Sequence, residues 1–216
     1  CALGFGAQAI AVKAGLWFGS KTWKPLRAAQ AKRARRALTR LPTGSLPRSE
    51  AARRFWSQRT WSEFAAIPAV AQVVLALTRE GAAAETVAAW AAISADEARH
   101  AELSAQLAER LGGYDDEVPE GLIWAPRSLA NGSTVPAATW LLANGCFSET
   151  VSLALIRARA AQTRQPLVRA VLLETLRDEA VHVRVAWRLA EELLPRLPRA
   201  QLRELHAYGL ELAQML

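Results

Sequence analysis

The feature that most constrains this chain is a five-residue stretch that occurs twice, as Asp96-Glu97-Ala98-Arg99-His100 and as Asp178-Glu179-Ala180-Val181-His182. Each contains Glu-x-x-His, and the whole chain has 3 histidines. On an α-helix, residues three apart share a face. Each stretch therefore presents one carboxylate and one imidazole in the same direction, as two ligands of one metal ion must be. A second pattern accompanies the first. Ser62-Glu63 precedes one stretch and Ser148-Glu149 precedes the other. One Glu from each of two helices, with a Glu-x-x-His from each of two more, is the ligand set of a two-metal carboxylate site in a helical bundle.

The spacing supports this. Glu63 and Glu97 lie 34 residues apart, and Glu149 and Glu179 lie 30 apart. The first interval has Arg79-Glu80-Gly81 at its midpoint, and the second has Thr163-Arg164-Gln165-Pro166. Gly ends helices, and Pro suits their first position. Each half thus climbs for about 15–17 residues, roughly 25 Å, turns, and descends to the same height. Good helix formers dominate and β-branched runs are scarce, which favours an all-α chain.

The expected order is one helix from Ser49, its cap, to about Glu80, kinked at Pro68; a second from about Ala83 to Leu111, stopped by Gly112-Gly113; and a long crossover over Gly113–Thr134. A third helix starts at Thr134 and Pro136 and carries Glu149. A fourth runs from Pro166 to near Pro195, and a fifth from Arg199 to Leu216. The domain division is an N-terminal extension and linker over 1–48, a four-helix bundle over 49–196, and a C-terminal helix over 197–216 packed on it.

The helical neighbours of the candidate ligands are apolar. Ile67 and Val70 share the face of Glu63; Trp90, Ile93 and Ala101 that of Glu97; Leu153 and Ile156 that of Glu149; Leu176, Val183 and Ala186 that of Glu179. Four carboxylates on apolar stripes are costly to bury without compensation. Two divalent cations supply the matching charge. Carboxylate and imidazole donors without thiolate suit iron or manganese, and zinc is also compatible. The metal ligands are therefore Glu63, Glu97, His100, Glu149, Glu179 and His182, with Glu149 and Glu179 expected to bridge. Asp96 and Asp178, four residues before the histidines, either hold the second imidazole nitrogen or are surface acids. Gly145 and Cys146 line the cavity in one reading; in the other, Cys146 is a small core residue. His206 packs or caps locally, with a third histidine ligand as the alternative.

Charge is uneven. Residues 1–60 hold 13 Lys/Arg and one acid, and residues 61–216 hold 14 Lys/Arg and 19 acids. The net charge of +7 therefore belongs to the N-terminal segment and not to the part that bears the motifs. Residues 2–20 are mildly apolar and marginal as a membrane span. With the basic stretch 21–40 they read in two ways. One is a segment lying on an anionic membrane surface. The other is a helix docked through Leu26, Ala29, Ala37 and Leu38 with its arginines in water. Cys1 raises lipid anchoring as an alternative to a cytoplasmic location. Two cysteines, Cys1 and Cys146, make no disulfide framework.

At these motifs the chain resembles the ferritin-like superfamily of di-iron carboxylate proteins. The stretch Gly145-Cys146-Phe147-Ser148-Glu149-Thr150 is similar to the G-C-x-x-E-T of bacterial ferritin-like domain proteins. The resemblance spans about residues 50–195. It implies a ferritin-like four-helix bundle, two iron ions (or manganese, or a mixed pair), and oxygen or peroxide chemistry at reduced iron. The radical Tyr of ribonucleotide reductase small subunits would fall at Ser104, so a tyrosyl radical there is excluded. The rubredoxin module of rubrerythrins has no counterpart.

The leading expectation is an oxidoreductase that activates O2 or peroxide, served by an external electron donor, with room for a small organic substrate near Ala66, Ala101 and Gly145. The alternatives are a ferroxidase or peroxide scavenger, and a non-enzymatic membrane-surface protein with structural metal. A homodimer is compatible with each.

Overall fold

The computed structural model describes residues 46–115 and 137–215. Every secondary-structure element among them is helical. The apolar and basic segment and most of the expected crossover lie outside the described residues.

Helix α1 spans Glu50–Arg79 and α2 spans Ala84–Leu111. Ser49 caps α1, its Oγ accepting the Ala52 N–H at 3.3 Å, and Glu50 occupies the first turn, where a carboxylate suits the positive end of the helix. The helix continues through Pro68. It stops where Gly81 takes φ +71°, a conformation that only Gly adopts cheaply. The Ala82 N–H then donates to Leu77 O at 3.0 Å and the Gly81 N–H to Thr78 O at 3.2 Å, which satisfies the last carbonyls. Gly112 and Gly113, both at positive φ, end α2 in the same manner.

The third helical run has three parts: α3, Ala137–Trp140; a π-helical segment, Leu141–Ser148; and α4, Glu149–Gln162. Trp140 and Glu149 both keep right-handed helical backbone angles, so the run is unbroken. Its start is held by Glu80, whose Oε1 accepts the Ala137 N–H at 2.6 Å. Helix α5 spans Pro166–Leu193. Gln165 caps it, with Oε1 accepting the Leu167 N–H at 2.9 Å, and Pro166 fills the first position, where no N–H is needed. A single 3-10 turn, Leu194–Arg196, leads to α6, Arg199–Met215.

The chain divides into two compact units that share helices. The first takes α1 up to Ile67, α2 from Ala95, and α5 up to Val171; the second takes the remainder of these helices with α3, the π segment, α4 and α6. In the first unit, the Trp61 Nε1–H donates to Asp115 O at 3.4 Å, and the Asp115 N–H donates to Ser57 Oγ at 3.1 Å. Trp61 also stacks on Tyr114, with ring centroids 6.4 Å apart. These contacts bind the first half of α1 to the residues that leave α2, so the two helices run antiparallel there. The second unit has an apolar core of Val73 and Leu77 from α1, Trp90 and Ile93 from α2, Leu141 and Cys146 from the π segment, Ala186 from α5 and Leu205 from α6. Each large apolar side chain buried in this way contributes roughly 1.5–3 kcal/mol.

Candidate metal centre

Each Glu-x-x-His lies mid-helix, one on α2 and one on α5, and both of its members are buried: Glu97, His100, Glu179 and His182 are each 1 % exposed. Burial of a charged side chain to this extent is rare unless it is paired or binds a metal. Glu63 on α1 is also buried. Glu149, the first residue of α4, has a side chain 13 % exposed.

The same geometry occurs twice. In the first unit, His100 Nδ1 lies 3.7 Å from Glu63 Oε2 and 3.7 Å from Glu97 Oε2. In the second, His182 Nδ1 lies 3.8 Å from Glu149 Oε2 and 3.8 Å from Glu179 Oε2. These separations exceed ordinary N–H···O hydrogen bonds. They match two ligand atoms each about 2.1 Å from one shared ion. Ser152 Oγ donates to Glu179 Oε1 at 3.5 Å, a long contact that steadies this carboxylate.

Two groups of four side chains bring ligand atoms within 4.8 Å of one another: Glu63, Glu97, His100 and Glu179; and Glu97, Glu149, Glu179 and His182. Glu97 and Glu179 belong to both. Of the two carboxylates expected to bridge, Glu179 belongs to both groups and Glu149 to one. The donor set suits a divalent ion: oxygen and imidazole nitrogen, no thiolate, and several negative charges removed from water. Buried Glu and His side chains can thus hold a metal ion here, and iron, manganese and zinc all accept such donors.

Charge at the first group is also set by a residue outside the repeated motifs. Arg59, one turn before Glu63, forms an ion pair with Glu63 Oε1. Burial raises the pKa of Glu63, but the Arg59 guanidinium and His100 outweigh it and hold the carboxyl below the ordinary value. The signal was present in the sequence as an i,i+4 Arg–Glu spacing, hidden among many basic residues.

Asp96 accepts a hydrogen bond from Arg99 Nη2 at 2.8 Å and is partly exposed. Asp178 is half-buried on α5. His206 is exposed on α6. Cys146 is buried, and desolvation pushes its thiol up to about 12. Gly145 lies in the π segment, where an added Cβ would sit 2.4 Å from Trp90 Cη2 and 3.1 Å from Ala186 Cβ. The indole of Trp90 therefore occupies the place of a side chain at residue 145. Its Nε1–H is buried with no hydrogen-bond partner among the described residues.

Compared with known proteins, the chain matches no family model, no curated protein and no solved structure.

Proposed function

We propose that this chain is a two-metal carboxylate oxidoreductase with a ferritin-like four-helix bundle, holding two iron ions, or manganese, or one of each, and acting on O2 or peroxide. The observation that carries this reading is the pair of overlapping ligand groups with Glu97 and Glu179 in common. Two ions that share two carboxylates, each with one further Glu and one His, would use all six side chains. Glu97 and Glu179, which belong to both groups, would serve both positions. Glu63 and His100 would complete one position, and Glu149 and His182 the other.

Redox-active ions, if held by these side chains, would supply the electron transfer to a small oxidant. The protein's own part is to bind, orient and keep dry. Both imidazoles turn Nδ1 toward the carboxylates, so a metal-bound ring keeps its proton on Nε2. Trp90, Ile93 and Ala186 are buried core residues on the ligand-bearing helices, at helical spacing from Glu97 and Glu179, and exclude water from that side. Four carboxylates balance two divalent ions. Turnover would draw on an electron donor outside these helices.

The test is metal content after anaerobic reconstitution with Fe(II), with Glu97→Ala and Glu179→Ala alongside. About two ions per chain, lost in both variants, and O2 or peroxide consumption by the reduced protein are expected. Absence of bound metal in the wild-type chain refutes the reading. Peroxide consumption that no organic additive changes would move the assignment toward iron handling.

A further inference from the structure

We infer that the two metal positions are unequal, and that Arg59 makes them so by taking one oxygen of Glu63, which leaves this residue a one-oxygen ligand at the weaker position. The inference rests on the two-metal reading and adds an order of filling and a place for the oxidant.

The two oxygens of Glu63 point to different partners. Oε1 faces the Arg59 guanidinium, and Oε2 faces His100 Nδ1 at 3.7 Å. Arg59 is no ordinary surface cation. Its side chain is 16 % exposed, against 69 % for Arg54, which pairs with Glu50 one turn earlier. A guanidinium withdrawn this far from water needs a fixed anion, and Glu63 provides it. Oε1 is thereby occupied, and only Oε2 remains for a metal.

The second half of the chain does not repeat this arrangement. One turn before Glu149 in the π segment stand Asn144 and Gly145, neither of which carries a charge, so no cation reaches Glu149 from that helical position. Glu149 can turn both oxygens to its ion. Two effects then act in one direction. The Glu63/His100 position has one ligand atom fewer, and a fixed positive charge beside its ligand repels the incoming cation. The Glu149/His182 position fills first and holds its ion more tightly. With an ion bound, the Glu63/His100 position would have the fewer protein ligand atoms, and a small exogenous ligand would find its place there.

The experiment is stepwise anaerobic addition of Mn(II) to the metal-free full-length chain, read by electron paramagnetic resonance of free Mn(II). Wild type should take up two ions in steps that differ by about ten-fold or more in affinity, the scale of one added charge in a partly buried site. Arg59→Leu should strengthen the weak step and narrow the gap. Arg59→Lys, which keeps the charge, should preserve it. Glu63→Ala should abolish the weak step and leave the strong one at its wild-type affinity, which tests the assignment even if Arg59→Leu does not fold. Two equal steps in wild type, an unchanged gap in Arg59→Leu, or loss of the strong step in Glu63→Ala each overturn the inference and leave the two-metal reading standing. No uptake of Mn(II) by wild type overturns both.

Discussion

Gly145→Ala tests how tightly the π segment is packed. In a helix, Gly to Ala ordinarily gains roughly 1 kcal/mol. Here the new Cβ would stand 2.4 Å from Trp90 Cη2 and 3.1 Å from both Ala186 Cβ and Leu141 Cδ1. Real carbon atoms do not approach to 2.4 Å, so Trp90 must move. It is a rigid, two-ring side chain, 1 % exposed, and core interiors leave little room to swing it. Overpacking of this kind costs about 1–3 kcal/mol, so the sign turns from stabilising to destabilising. A net loss of about 1–2 kcal/mol lowers the Tm by roughly 2–8 °C for a chain of this size. Trp90→Phe removes the clashing atom. In that background Gly145→Ala should be neutral or stabilising, which gives a coupling of about 2 kcal/mol in a double-mutant cycle. Thermal melts of the four proteins decide it. Additive effects, or a stabilised Gly145→Ala single variant, would show that Trp90 does not press on the helix backbone.

Other outcomes are as concrete. Metal removal should lower the Tm: at free metal about a hundred times Kd, binding adds about 2.7 kcal/mol, or roughly 5–10 °C, and a chelator that leaves the melt unchanged would refute this. With its thiol pushed up to about 12 by burial, Cys146 holds almost no thiolate at pH 8, so in a Cys1→Ser background a thiol reagent should react only after denaturation; fast native-state labelling contradicts that. Arg53 and Arg54 hold the exposed Glu50 carboxyl down at about 2, from 4.5. The folded pKa is depressed, so the stability it adds is present above about pH 4.5 and lost as pH falls toward 2. Glu50→Gln should therefore melt slightly below wild type at pH 7 and level with it near pH 2, and an equal offset at both pH values would refute the assignment.

Much of this architecture is legible in the sequence because local chemistry sets it. Ser49, Gly81, Gly112 and the Gln165-Pro166 pair begin or end helices through bonds made within a few residues. The six side chains that motif and spacing single out are the members of the two ligand groups. What escapes is decided across space. Which carboxylates belong to both groups is a matter of where side chains of different helices meet. The Arg59–Glu63 pair looks in sequence like any surface i,i+4 pair, and only its burial distinguishes it. The π segment has no residue signature of its own. Gly145, small enough to admit Trp90 to the helix backbone, is the one hint, and its meaning depends on which side chain faces it.

The eight π-helical residues Leu141–Ser148 act as a phase shifter. The helix ahead of them is fixed in azimuth by the bond from Ala137 N–H to Glu80 Oε1, and the helix behind them must aim Glu149 at His182. A wider turn lets one continuous rod satisfy both demands, advancing the chain without carrying the carboxylate round with it. Deleting one residue within 141–148 would let the rod relax to ordinary pitch with its two ends still in phase, whereas inserting one there would swing them apart by about 100°. Either the Glu80 anchor or the Glu149 carboxylate would then be displaced, so the length of this segment matters to the site as much as the side chains do.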